Sequence, residues 1–403
     1  MDFRRTVLSA GVLAFSSAVQ AQTALPEIVV TAPSPIVRMP TSRAPVTSEA
    51  PSAPVTPLPG TLPIVTDQFA TVTVVPNEEL RRPPGATLGD VLFSKPGITG
   101  SSFAPGAASR PIVRGLDTYR VRIQENGIGA SGVSELGEDH GVPIDPLAAN
   151  QIEVVRGPAT LRYGSQAIGG VVNATNNRIP EFMPARPLMV ETRAGFSSVD
   201  RGADGALLLD IGAGNFALHA DAYGRQADDY SIPSYPYRFP PSPAPSVGGK
   251  QPNSSMHADG QSMGGSYFFD GGYIGVAAAQ FSSFYRVPGV EATETNTRID
   301  MQQTKFTSKG EFRPQTPAVE AVRFWLGITD YQHDELANEG GFDGIQQTFT
   351  NKEHEGRVEV QFAPLDLRFA TLTTAVGTQG TQTTLAAPGA GGGLFDPNRA
   401  TSA

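Results

Sequence analysis

From residue 187 onward the chain is written in period two. Val322, Phe324, Leu326 and Ile328 share one parity and Arg323, Trp325 and Thr329 the other, while Val358, Val360 and Phe362 oppose Arg357, Glu359 and Gln361. Successive strand side chains point to opposite faces, so each such segment has one apolar and one polar face. We count about nine of these segments, many near the length of a tilted membrane strand and joined alternately by tight turns and long polar loops. One loop, Ser231 to Gly260, has seven prolines in its first 22 residues. A soluble two-sheet sandwich alternates in the same way, so periodicity alone leaves both architectures open. Beyond the N-terminus no apolar run approaches the ~18 residues of a membrane helix, so this chain meets a bilayer with strands or not at all.

The first residues run Arg4-Arg5, then apolar from Val7 to Phe15, then Val19-Gln20-Ala21. That order predicts a secretory signal peptide over residues 1–21. The absence of cysteine excludes disulfides, thiolate metal sites and thiol nucleophiles. A net charge of -9, with 30 basic residues gathered in no run or stripe, excludes a nucleic-acid role. Proline is concentrated: nine of the 31 residues from Pro33 to Pro63, so residues 22–63 are expected to form an extended tether. Within it Glu27, Ile28, Val29, Val30 and Thr31 make a β-prone pentad, suited to adding as a strand to a partner's sheet edge or simply part of a loose terminus. Residues 64–180 read as a compact α/β unit. Strands are predicted at Phe69–Val75, Val121–Gln124, Ile152–Arg156 and Gly170–Ala174, with a helix over Leu88–Phe93.

Two glycine motifs invite a cofactor reading. Gly212-x-Gly214-x-x-Ala217 has the spacing of a nucleotide or methyl-donor turn, which requires a helix to start at the second glycine. Instead Phe216, Leu218, Ala220 and Ala222 alternate with Ala217, His219, Asp221 and Tyr223, which predicts a hairpin turning on Gly214-Asn215. In QIEVVRGPATLRYGSQAIGGVVN (residues 151–173) no Gly-Lys-Ser/Thr follows the glycines, and Ser165 lacks a nucleophile-elbow frame. Its glycines are expected to allow close backbone packing. Arg110, Arg114, Arg156 and Arg162 are then either structural or gating charges against wall acids, or solvated surface groups. No catalytic constellation emerges, so no enzyme activity and no resident cofactor are expected. One cluster suits a metal: Asp139 and His140, with Glu138 beside them. Neighbouring residues cannot complete a coordination shell, so further ligands must come from elsewhere, with His333 and Glu335 as weaker candidates and His219, Asp334, Glu353, His354 and Glu355 in reserve. A merely solvated acidic turn is the other reading.

Taken together, the signal peptide, EIVVTA, the proline tether, RPIVRGLDTYRVRIQENGI (110–128), IDPLAANQIEVVRGPATLRYGSQAIGGVVN (144–173) and the alternating strands resemble the TonB-dependent outer-membrane receptors. The resemblance implies a mainly β architecture, an α/β plug (64–180) inside a transmembrane antiparallel barrel that starts at 187. Arg114-Gly115, Arg156-Gly157 and Tyr163-Gly164 fall in the two plug motifs. It implies a TonB box at Glu27–Thr31, TonB and its inner-membrane energising complex as partner, outer-membrane lipid around the barrel, and energised uptake of a scarce nutrient. A soluble nucleotide-binding or methyl-donor enzyme and a passive channel or adhesin are the alternatives.

ELGEDHGVPIDPLAA (135–149), VPG with TRIDMQQTKFTSKGEF (287–312) and TFTNKEHEGRVEV (348–360) are similar to the members associated with zinc uptake. There an Asp-His pair on the plug helps bind the metal, which carries over to Asp139 and His140. The His-rich loop of that subgroup is absent, and the chain has five histidines. A metal chelate or siderophore is the other ligand class. The family barrel has 22 strands, needing roughly 220 residues before loops; residues 187–403 number 217. The expectation is the N-terminal part of such a receptor, or a broken gene product.

Overall fold

The computed structural model describes residues 71–82, 85–101, 106–164, 166–233 and 249–388, and the backbone of 399–402. The signal peptide, the Glu27–Thr31 pentad, the tether and Ser165 lie outside the described residues.

Among the described residues the chain begins with β1 (Thr71–Val75), α1 (Asn77–Leu80), α2 (Leu88–Leu92), β2 (Ile98–Gly100), β3 (Pro111–Val113), β4 (Val121–Glu125), β5 (Ile128–Gly129), β6 (Gln151–Arg156) and β7 (Gly170–Thr175). The predicted helix forms because Thr87 and Asp90 cap each other reciprocally, satisfying backbone donors that a helix start leaves free. A five-stranded sheet runs β1-β6-β7-β4-β5, with β4 parallel to β7 and the other pairs antiparallel. Val75, Leu80, Leu88, Leu92, Ile152, Val154 and Val172 form its core. The glycines of the 151–173 stretch divide into two kinds. Gly157 and Gly164 have nothing within 4 Å of a would-be Cβ, and it is their φ of 89° and 91° around the 3-10 turn Pro158–Tyr163 that calls for glycine. Close packing, the reason expected for all of them, applies to Gly169 and Gly170, whose Cβ atoms would lie 2.9 Å from Leu116 Cβ and 3.1 Å from the Val155 carbonyl.

The second layer is one antiparallel sheet of β8 (Leu188–Phe196), β9 (Ala203–Ala213), β10 (Phe216–Ala227), β11 (Met256–Phe269), β12 (Gly272–Arg286), β13 (Arg298–Phe312), β14 (Val319–Glu339) and β15 (Phe342–Phe362). A two-stranded ribbon of β16 (Leu365–Asp366) and β17 (Thr371–Leu372) precedes β18 (Ala375–Ala386), which pairs with β15, and the short β19 (Arg399–Ser402) follows. The helix α3 (Val290–Glu294) sits between β12 and β13. Gly212 to Ala217 is a two-residue hairpin with positive φ at Gly214 (57°) and no helix after it, which removes the cofactor-turn reading. At one end of the sheet the strands are joined by 214–215 and 270–271; we call it the turn end. The segments 228–233, 249–255 and 287–297 lie at the other, the loop end.

Which parity is buried separates a membrane wall from a sandwich. On β14 the apolar residues face out, Leu326 49% and Ile328 52% exposed, while Arg323 and Thr329, on the inward parity, are 4% and 3% exposed. On β13 and β15 Lys305, Lys309, Glu355, Arg357 and Glu359 are likewise buried. A soluble sandwich buries its apolar parity; this sheet shows it outward, as a lipid-facing strand must. Outward aromatics Phe216, Tyr267, Phe269 and Phe312 follow one another along the turn end with ring centroids 5.0, 6.3 and 6.1 Å apart, as in an interfacial girdle. β11 to β15 run 14 to 21 residues, longer than the roughly ten expected. The excess lies toward the loop end, where the outward residues become Asp330, Gln332 and Asp334, so these strands continue past the apolar band. Leu326→Arg is therefore expected to cost about 2–4 kcal/mol in lipid vesicles, read by denaturant unfolding. A cost near zero would mean that this face does not meet lipid.

Candidate metal centre

The segment after β5 climbs from the plug sheet to the wall and turns at Gly137–Gly141. Tyr285 of β12, fully buried, fixes that turn: its hydroxyl donates to the Asp139 carbonyl at 2.7 Å and accepts from the Gly141 N–H at 2.9 Å. From the plug side Arg110 donates to the Gly137 carbonyl at 2.9 Å. His140 is thereby pressed against the inward parity of β14 and β15. His333 pairs with Phe349 across those strands, and the His140 ring lies 4.6 Å from that of His333 and 5.1 Å from that of Phe349.

His140, His333 and Glu335 each bring a donor atom, all within 4.8 Å of one another. His140 Nε2 is 2.9 Å from Glu335 Oε1 and 3.8 Å from Asp139 Oδ1, and His333 Nε2 is 3.7 Å from Glu335 Oε1. Donors around a tetrahedral zinc lie about 3.3 Å apart, given bonds near 2.0–2.1 Å, so these separations bracket what a cation needs. The outer contacts orient both rings: His140 Nδ1 faces the Val133 carbonyl at 3.0 Å and His333 Nδ1 the Tyr331 hydroxyl at 2.8 Å. His333 is 0% exposed, yet its Nε2 has no hydrogen-bond partner. A buried polar nitrogen without a partner costs roughly 1–3 kcal/mol, and a cation bound beside Glu335 relieves it. Space is available because residue 137 is glycine: a Cβ there would stand 2.7 Å from Asp139 Oδ1 and 2.8 Å from His140 Nε2.

Both nitrogens of His140 face oxygen acceptors, an arrangement that favours the imidazolium over either neutral tautomer. Burial pushes its pKa down, but the hydrogen bonds to Glu335 and Val133 and the charge of Asp139 outweigh that, and the net shift is upward.

The other sequence candidates lie elsewhere. Glu138 is exposed, and Asp334 and His354 point out of the wall. His219 lies between Asp210 (2.8 Å) and Asp221 (3.2 Å) near the turn end. Glu353 and Glu355 face inward but belong to the plug contact described next.

Of the four arginines weighed as charges against wall acids, only Arg162 reaches one, Glu359. Arg110 is held by Asp117 and Arg156 by the Pro96 carbonyl and Thr73, all within the plug. Arg114 is exposed with φ 52°. Among the cross-layer pairs that sequence reasoning missed are Arg122 with Glu355, Arg225 with Asp145 at 2.7 Å, and Arg178, which bridges Glu125 at 2.7 Å and Asp221 at 3.3 Å. Tyr163 of the plug motif stacks under Arg357, whose guanidinium also lies over Trp325, at 5.2 and 5.1 Å from the ring centroids. Arg122 sits on an apolar-looking strand and Arg178 in a turn, so neither position signals a partner about 40 or 230 residues away.

The TonB-dependent Receptor Plug Domain family matches residues 65–171. The vitamin B12 transporter BtuB of Photobacterium profundum is 28% identical over 172 residues, 42% of this chain and 27% of that protein. Among solved structures the copper transporter OprC has a TM-score of 0.62 at 17% identity, covering 78% of this chain and 46% of that one. A ferric enterobactin receptor (PfeA) variant from Pseudomonas aeruginosa has 0.61 at 16%, covering 82% and 53%. The chain thus spans about half the length of these structures and about a quarter of BtuB. Residues 65–171 are a TonB-dependent receptor plug domain, and with the inward-polar, outward-apolar wall behind them they have the fold of the plug and part of the barrel wall of the TonB-dependent outer-membrane receptors.

Proposed function

We propose that the protein to which this chain belongs takes up a divalent metal ion across the outer membrane, zinc first among them, by TonB-dependent transport. The observation that carries this reading is the unpartnered, fully buried His333 Nε2 beside Glu335 and His140. Two imidazoles and carboxylate oxygens make a borderline donor set suited to Zn2+. The donors already converge, which favours a bare ion over a bulky chelate. A chelate reading has support from the siderophore and cobalamin names among the relatives. Capture takes place at the loop end, on a plug turn clamped by Tyr285 and Arg110. Movement of the plug pulls His140 away from His333 and Glu335, dividing the donor set and weakening its hold. The Glu27–Thr31 pentad adds to TonB as a β-strand and transmits the pull.

The test is a Zn2+ titration of the detergent-folded chain against Cu2+ and a ferric siderophore. Zinc has to displace the His140 proton, so binding releases protons. The His140 pKa is raised, so affinity is full above that raised value and falls by about tenfold per pH unit below it. Titration calorimetry in buffers of different ionisation enthalpy measures the released proton. Binding whose affinity does not weaken, and which releases no proton, as the pH is lowered through the His140 titration, or a preference for the siderophore, overturns the zinc reading.

A further inference from the structure

A polar cavity of about 520 Å3 lies between the plug and β15 and β18, toward the turn end from the histidine cluster. The segment that carries His140 also lines this cavity with Ser131 and Glu135, while Asn351 and Glu353 enter it from β15. Glu353 is four residues beyond Phe349 on that strand, a step of about 13 Å.

The charges in this cavity do not balance. Its two cations are already engaged, Arg110 by Asp117 and Arg122 by Glu355, which leaves neither Glu135 nor Glu353 with an ion-pair partner among the described residues. Glu353 receives only hydroxyls, Ser131 Oγ at 2.6 Å and Thr383 Oγ1 at 3.2 Å. Asn351 supplies an independent sign. It is 4% exposed, and its Nδ2 donates to the Gly132 carbonyl at 2.9 Å, which fixes the orientation of the amide. Its Oδ1 is left buried and without a hydrogen-bond partner. An acceptor oxygen without a donor, beside a polar cavity that holds two carboxylates with no ion-pair partner among the described residues, fits a cation and repels an anion.

We propose that Glu135, Glu353 and Asn351 Oδ1 form a second, all-oxygen cation subsite; resting on the uptake reading above, it is the next station for a divalent ion leaving His140, His333 and Glu335. Carboxylate and amide oxygens hold hard divalent ions more weakly and less selectively than imidazoles hold zinc, which suits a site that must also let go.

The probe is Mn2+, followed by the electron paramagnetic resonance signal of the free ion, in the detergent-folded 403-residue chain carrying His140→Ala. One Mn2+ is expected to bind, and adding Glu135→Gln and Glu353→Gln is expected to raise its Kd at least tenfold while near-UV circular dichroism stays unchanged. Asn351→Leu, which keeps the carboxylates, should give a smaller rise in the same direction. Equal Mn2+ affinity with and without the two carboxylates overturns the subsite. The wild-type chain with Zn2+ separates the two readings: loss of the tight, proton-releasing step strikes the histidine centre alone, whereas a Mn2+ step insensitive to Glu135 and Glu353 strikes this subsite alone.

Discussion

His333→Ala lowers the Zn2+ affinity of the folded chain by about 100-fold or more, because it removes a donor that is already stripped of water and held in place by Tyr331. Replacing a ligand leaves open whether the ring mattered as ligand or as packing against Phe349. Gly137→Ala answers that, since it keeps every donor. Its methyl group would fall 2.7 and 2.8 Å from Asp139 Oδ1 and His140 Nε2, inside the space a bound ion requires, and both side chains would have to swing away. We expect affinity to drop by at least tenfold, at a cost of about 1–3 kcal/mol in stability, because the His140 ring that must move is packed against His333 and Phe349. Wild-type zinc affinity in both variants would show that the cluster is a packed histidine pair and no metal site.

Val29→Pro is expected to abolish uptake in cells carrying the complete receptor while leaving metal binding at its wild-type level. A proline within Ile28–Val30 removes a main-chain donor from the middle of the added strand, and in strand addition main-chain hydrogen bonds supply most of the hold. The donors proposed for capture, His140, His333 and Glu335, come from the plug and the wall. Radioactive zinc accumulation, compared with binding to the same cells when de-energised, distinguishes transport from capture. Normal accumulation would remove the energised mechanism.

These two predictions draw on different kinds of legibility. Alternation in 187–386 was plain in the sequence because strand geometry turns period two directly into faces, and so was the hairpin at Gly214-Asn215. The reciprocal cap at Thr87 and Asp90 is likewise local, three residues apart. The direction of the faces was not legible. Period two says that Leu326 and Arg323 oppose each other, but only the plug behind the sheet decides that the arginine is the buried one. Strand length was underestimated for a related reason: alternation continues past the apolar band, with polar residues on the outward parity.

The residues of the metal centre divide in the same way. Asp139 and His140 stood out as adjacent donors, with Glu138, His333 and Glu335 as weaker ones and His354 and Asp334 in reserve. Strand parity sends His354 and Asp334 outward and His333 and Glu335 inward, and the Tyr285 clamp turns His140 toward them. The sequence by itself determined the elements, their faces and the set of available donors, because those follow from contacts within a few residues. The tertiary structure alone decided which face is buried, which arginine meets which acid, and which three donors converge, because each depends on closing loops of about 40 to more than 200 residues, a choice that no local pattern encodes.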